Sequence, residues 1–260
     1  MANAVFQAAD ENMFRAATWS GTTPATSYSL TTLRSLNPAA RVLFPGSNAT
    51  ITANVASGRG DVLVIPTTNA DSLTLTNNNG LSEAISIPAM TRSRIPRTIV
   101  ADLALLEPSG PTRTATIWNL AFGCSGANLQ VGGAIALYTP RTELLVGDFQ
   151  WGGKESRQVF GVEHENEYGV RYRQLRNTMR RSVSLVKLAT AGDLIAIRDW
   201  FDNSSGKYGT AFLWPDPAIN DGYMGSLQET LEITTLAPTS AGTLYSVAIE
   251  FQELSKGQPV

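Results

Sequence analysis

The chain has one cysteine and one histidine in 260 residues, and those scarcities exclude a good deal. With Cys124 alone, no intrachain disulfide and no thiolate metal cluster can form, so folding without oxidation in a reducing cytoplasm is expected. With His164 alone, a Ser-His-Asp arrangement has a single possible base, and no paired acids mark a hydrolytic site. Charge is scarce too. Asp, Glu, Lys and Arg make up 16% of the residues, against roughly 25% in typical soluble domains, and the net charge is −2. There is thus no overall basic field to attract nucleic acid or an anionic membrane. No run approaches the roughly 20 apolar residues of a membrane span, and Met1 to Phe6 lacks a basic start followed by an apolar core, so neither membrane insertion nor a signal peptide is expected. No phosphate-cradling glycine loop or nucleophile elbow is present, and no cofactor is expected.

What the chain has instead is Thr, Ser, Asn and Val in short alternating runs. With charge this low, polar surface must come from Thr, Ser and Asn, a composition suited to antiparallel sheets. The length allows two modest domains. From 28 to 142, strands and turns recur about every ten residues, the spacing of a β-sandwich or jelly roll. Strands are expected at 62–65, ended by Pro66, at 73–76, 84–87, 98–105, 114–122 and 133–138. Asn77-Asn78-Asn79-Gly80 reads as a tight hairpin turn. The texture changes near Thr139-Pro140-Arg141-Thr142, which places a boundary between domains 1–145 and 146–260.

The second domain is expected to hold strands at 157–163, 168–175, 182–188, 208–214, 227–236 and 245–254. It also carries the best helix signal, near 191–203. Thr190 and Asp193 form a capping pair in which the hydroxyl accepts the Asp193 amide. Leu194, Ile197 and Phe201, flanked by Ile195 and Trp200, form the apolar face. The fold class expected is therefore all-β with one packed helix.

Three motifs bear on chemistry. Glu163-His164-Glu165 could supply metal ligands, but strand alternation puts 163 and 165 on the face opposite to 164, so they do not converge. Arg171, Arg173, Arg176, Arg180 and Arg181 form the one basic cluster; DNA phosphate is one possible partner, and pairing with Glu163, Glu165, Glu167 or a neighbouring subunit is favoured. Arg59-Gly60-Asp61 matches an adhesion tripeptide and reads as a turn into the next strand. Among the aromatics, Trp118 and Tyr138 lie in apolar strands and read as core, while Trp151, beside Gly152 and Gly153, reads as a contact residue.

The order of Arg171, Arg173, Gln174 and Arg176, then a helix with Trp200-Phe201, then Gly206 and Gly209 before Phe212-Leu213-Trp214-Pro215-Asp216, resembles distal tail and minor tail-tip proteins of long-tailed bacteriophages. The likeness covers roughly 161–254. The first domain is similar to galactose-binding-like jelly rolls. The resemblance implies a tail-tube-like β-barrel with one packed helix, and a non-enzymatic virion protein of the tail tip. It would assemble in the bacterial cytoplasm into a ring between the tail tube and the hub or baseplate, near the tape measure protein, with DNA passing through. Trp151, Arg171, Arg173, Arg176 and Trp214 are the interface candidates this reading leaves. An alternative is a host-adhesion module that recognises a surface glycan through aromatic stacking and Asn or Asp hydrogen bonds.

Overall fold

Alternation is the organising pattern of the first 138 residues, as given by a computed structural model. The structure describes residues 5–8, 12–35, 37, 40–85, 87, 97–108, 110–126, 128–138, 154–158, 161–165, 168, 171–175, 180–203, 210–214, 223–239 and 242–253. The first strands are β1 (Val5–Ala8), β2 (Thr18–Gly21), β3 (Arg41–Phe44), β4 (Asn48–Arg59), β5 (Val62–Thr68) and β6 (Ser72–Asn77). They are followed by β7 (Ser82–Ile85), β8 (Arg97–Asp102), β9 (Thr114–Gly123), β10 (Leu129–Gly132) and β11 (Ala136–Tyr138).

Two antiparallel sheets form from these strands. One runs β2-β4-β9-β6-β7; in the other, β11, β5, β10 and β3 are linked, with β8 also on β5. Ile51, Leu75, Trp118 and Leu120 from the first sheet share one buried cluster with Val42, Phe44, Leu63, Ile65 and Val131 from the second. Each such side chain contributes roughly 1.5–3 kcal/mol through burial. From β2 to β6 the chain changes sheet at every step, and it does so again from β7 to β10, a wiring of the jelly-roll kind. The two sheets differ in exposure. β5 is buried on both faces, with Val62, Val64, Val100, Ala136 and Tyr138 forming a second cluster behind it. The outer face of the other sheet is open and polar, as the exposed Thr50 and Thr74 mark.

Several expected strand limits shift for physical reasons. Pro66 does not end β5, which continues to Thr68; the register with β8 slips between Ile65 and Thr68, so the residue without an amide hydrogen sits at an irregularity. The strand expected at 98–105 stops at Asp102. Its carboxylate Oδ1 accepts from the amides of Ala104 (3.1 Å) and Leu105 (3.2 Å), capping one helical turn, α1 (Leu103–Leu106). Residues 133–138 contain only the short β11, preceded by the unforeseen β10. The strand proposed at 84–87 begins earlier, as β7.

The Asn turn is as expected, but its asparagines do more than bend. Asn77 Oδ1 accepts from the amides of Asn79 (2.9 Å) and Leu81 (3.1 Å), and its amide nitrogen donates to the Thr112 carbonyl (2.6 Å). Asn78 Oδ1 accepts from the amides of Thr116 and Ile117, so the hairpin is tied to the start of β9. Gly80 takes the positive φ, +93°.

The remaining strands are β12 (Lys154–Gln158), β13 (Gly161–Glu165), β14 (Arg171–Leu175), β15 (Arg180–Ala189), β16 (Thr210–Trp214), β17 (Tyr223–Thr239) and β18 (Gly242–Glu253). The stretch read as one strand at 157–163 is thus divided between β12 and β13, which lie in different sheets. β13 and β14 form a hairpin. The others make a six-stranded antiparallel sheet in the order β1-β16-β17-β18-β15-β12. One helix, α2 (Ala191–Asn203), packs against β18 and β15. Thr190 Oγ1 accepts the Asp193 amide (3.3 Å), and Asp193 Oδ2 accepts from the Thr190 amide (3.1 Å), closing the capping box. Leu194, Ile197 and Phe201 are buried beside Val247, Ile249 and Phe251 of the sheet. Ile195, expected on the margin of that face, is 61% exposed: the helix meets the sheet along a narrower stripe than a broad apolar face would need. The chain is therefore all-β with one packed α-helix of more than a single turn among the described residues.

Strand β1 belongs to this second sheet, not to the sandwich: Val5 to Ala8 pair with Trp214 to Ala211 of β16. The sandwich thus lies in sequence between two strands of one sheet, β1 and β12. Asn12 marks the way in and the way out. It forms an isolated bridge with Tyr138; its Oδ1 accepts from the amides of Phe14 (2.9 Å) and Leu137 (3.0 Å), and its amide nitrogen donates to the Ile135 carbonyl (3.2 Å).

Candidate assembly surfaces

The connection β4 to β5 carries the adhesion-like tripeptide, and the geometry makes it internal. Asp61 is buried; its Oδ1 faces Nη1 of the buried Arg113 and accepts from Arg59 Nε at 2.9 Å. Its amide donates to the Tyr138 carbonyl (2.8 Å), and its own carbonyl accepts from the Leu103 amide (2.8 Å). A Cβ at Gly60 would lie 2.7 Å from Leu137 Cδ1, so only glycine fits the turn without displacing that side chain. The tripeptide is a turn, as expected, and its carboxylate ties β5 to β9. Arg113, the partner that makes this possible, has no local signature and escaped the sequence reading.

His164 lies in β13 directly opposite Tyr172. No group of three or more His, Cys, Asp or Glu able to hold a metal occurs among the described residues. Three of the described aspartates have structural work: Asp102 and Asp193 cap helices, and Asp71 Oδ2 accepts from the Ser125 amide at 2.6 Å. Cys124 is half-buried, its Sγ donating to the Gly126 carbonyl at 3.2 Å.

The basic cluster is divided by the fold. In the β13–β14 hairpin, Glu163 stands opposite Arg173 and Glu165 opposite Arg171. Directly opposed residues of opposite sign are the favourable arrangement on an antiparallel pair. Arg180 and Arg181 belong to β15, in a different sheet, opposite Gln158 and Arg157. Arg176 and Trp151 lie outside the described residues. Trp214 ends β16 opposite Val5. Trp118 and Tyr138 are fully buried, as expected of core aromatics.

The feature that sequence reasoning missed is an open strand edge. β17 is a 17-residue strand, but β16 covers it only from Tyr223 to Ser226, while β18 follows its other edge as far as Thr239. Among the described residues, no strand lies on the outer edge of β17 from 227 to 239. Along it, Leu231 and Ile233 are half-buried, and Glu232, Thr234, Thr235, Leu236 and Ala237 are exposed, Leu236 by 50%. Natural edges of this kind are usually blunted by lysines, prolines, bulges or shortness. From 227 to 239 this one carries two charges, Glu229 and Glu232, with register shifts against β18 between Leu227 and Leu231 and between Thr235 and Ala237 and a proline, Pro238, near its end. Between Leu231 and Thr235 the edge is regular, and among the described residues no strand covers it, so it is open to a further strand. The long strand at 227–236 was legible in the sequence; which of its edges lacks a partner was not.

Comparison with known proteins adds little to this geometry. No protein-family model matches the chain, and no curated protein matches it. Among solved structures, the crystal structure of SpGH29 aligns with 51% of this chain and 28% of its own, at 10% identity and a TM-score of 0.38. A likeness that low carries no argument about fold or role.

Proposed function

We propose that the chain is a structural, non-enzymatic protein of a phage tail tip, whose copies close a ring that joins the tail tube to the hub or baseplate. The open edge of β17 carries this reading. A strand edge of that length with only two charges, both acidic, is an aggregation hazard in an isolated molecule and an assembly surface in a closed oligomer, where every edge finds a partner. The sandwich supports it further, since it lies in sequence as an insertion between β1 and β12, two strands of the proposed ring-forming sheet, with the ends of the insertion brought together by the Asn12–Tyr138 bridge. Tail tube, hub and tape measure proteins are the partners this role implies, with the tail tip of the virion as its place and DNA passing through without sequence-specific contact.

Light scattering on the purified chain, with negative-stain images of the same peak, tests the reading. A closed ring of uniform copy number is the expected result. A monomer that stays monomeric when mixed with tail tube or hub protein would overturn it.

A further inference from the structure

The turn between β6 and β7 holds three consecutive asparagines, and the fold leaves them in three different states. Asn77 is buried, and its side chain is committed to the amides of Asn79 and Leu81 and to the Thr112 carbonyl. Asn78 is exposed, but its Oδ1 accepts from the amides of Thr116 and Ile117 and its Nδ2 donates to Thr116 Oγ1 at 3.1 Å. Asn79 is exposed, and its side chain is held by a single bond among the described residues, from Nδ2 to the Thr114 carbonyl at the start of β9.

The amides that follow the three differ as well, and they decide the chemistry. An asparagine side chain is lost when the amide nitrogen of the next residue attacks its Cγ. After Asn77 that nitrogen belongs to Asn78 and donates to the Ile117 carbonyl at 3.2 Å; after Asn78 it belongs to Asn79 and donates to Asn77 Oδ1 at 2.9 Å. After Asn79 it belongs to Gly80, which is exposed and whose amide has no acceptor among the described residues. A Cβ built on Gly80 would meet nothing within 4 Å, so space surrounds the nitrogen. Glycine also brings no side chain to obstruct ring closure and the least restricted backbone of any residue. Asn79-Gly80 is the one Asn-Gly pair in the sequence.

We propose that Asn79 is a self-modification site, where the hairpin tip passes from a neutral amide to a carboxylate without an enzyme. The Gly80 nitrogen bonds to Asn79 Cγ, the Cγ–Nδ2 bond breaks, and Nδ2 leaves as ammonia with the proton that the Gly80 nitrogen gives up. The product is a five-membered succinimide. Water then opens it. Addition at Cγ gives aspartate; addition at the main-chain carbonyl carbon gives isoaspartate, in which the backbone runs through Cγ.

What Nδ2 holds couples this chemistry to the fold. A carboxylate in its place can only accept, and it faces another acceptor, the Thr114 carbonyl, so the tie from the hairpin tip to β9 is lost and one negative charge is gained. The bonds from Asn78 to Thr116 and Ile117 remain, so the tip loosens while the hairpin stays on its sheet. The inference concerns the sandwich alone and does not rest on ring formation.

Peptide mapping by mass spectrometry of the full chain, incubated folded in mildly alkaline buffer and digested in acid, tests it. A synthetic peptide of residues 73–85 incubated alongside sets the time scale. When the peptide is largely converted, the folded chain should carry a gain of one mass unit at Asn79, as both aspartate and isoaspartate, with Asn77 and Asn78 unchanged. Conversion should quicken as pH rises, because the attacking nitrogen must shed its proton. Gly80→Asn, which keeps a residue tolerant of the left-handed backbone, should slow it severalfold with an unchanged melting transition. Asn79→Gln, whose longer side chain would have to close a six-membered ring, should abolish it. The proposal is overturned if the folded chain stays unmodified at Asn79 while the peptide converts, if Asn77 or Asn78 converts as fast, or if Gly80→Asn converts undiminished.

Discussion

Asp61 and Arg113 meet inside the sandwich from 52 positions apart, the carboxylate against the guanidinium, and both side chains are almost wholly withdrawn from water. A buried pair of this kind is weak evidence of net stabilisation, but breaking it leaves one buried charge without its partner. Arg113→Met should therefore cost about 3–5 kcal/mol. The double variant Asp61→Leu, Arg113→Met should recover a large part of that loss. Arg59→Ala removes a partner whose side chain is half exposed, and should cost less than about 1 kcal/mol. Urea unfolding of the four proteins checks the order; equal losses for Arg113→Met and Arg59→Ala would refute it.

Asn12 is the other tie. It is buried and makes three hydrogen bonds to backbone groups of Phe14, Ile135 and Leu137. Alanine at this position leaves backbone groups in the interior without partners, at roughly 1–3 kcal/mol each. Asn12→Ala should lower stability by about 2–4 kcal/mol on that scale, and amide hydrogen exchange should accelerate most at Phe14 and Leu137. Unchanged protection at those two amides would mean that the bridge to Tyr138 holds the crossing without Asn12.

How far the sequence was legible follows from the range of the interactions. Alternation in β4, β6 and β9 and the Thr190–Asp193 cap are local patterns, and they could be read at once. Asp102 as a helix cap was readable in principle, because Asp ahead of a Leu-Ala-Leu-Leu run is an N-cap signal, but the apolar run around it resembled a strand. Placing β1 in the second sheet depends on a pairing more than 200 positions away, for which four residues, Val5 to Ala8, carry no signal of their own. The same holds for Arg113 as the partner of Asp61.

The helix gives a sharp contrast between neighbours. Ile197 is 2% exposed and Ile195 is 61% exposed, two positions apart on a 3.6-residue repeat. Ile197→Ala should cost about 2–5 kcal/mol through lost burial and the cavity left behind. Ile195→Lys should stay within about 0.5 kcal/mol of the parent, as exposed substitutions usually do. Thr190→Ala removes a cap and should cost about 1 kcal/mol. Thermal melts of the three variants are sufficient, and a severe loss for Ile195→Lys would place that residue in a contact the isolated chain does not display.

The outer edge of β17 separates folding from assembly. Thr234 and Leu236 are exposed there, and β18 already occupies the opposite edge, where Thr234 stands across from Ser246 and a register shift surrounds Leu236. Lysine at both positions introduces the charges by which natural edge strands resist pairing, without touching the buried face formed by Val247, Ile249 and Phe251. The Thr234→Lys, Leu236→Lys double variant should keep the melting temperature of the parent within a few degrees, a shift of about 0.5 kcal/mol or less. It should remain monomeric by light scattering at concentrations where the ring proposed for the parent is expected to form. A variant that still closes rings would move the subunit contact to the other end of the sheet, at the outer edges of β1 or β12. A variant that unfolds would instead make the β17 edge part of the monomer's own stability, and the ring reading would lose the observation that supports it.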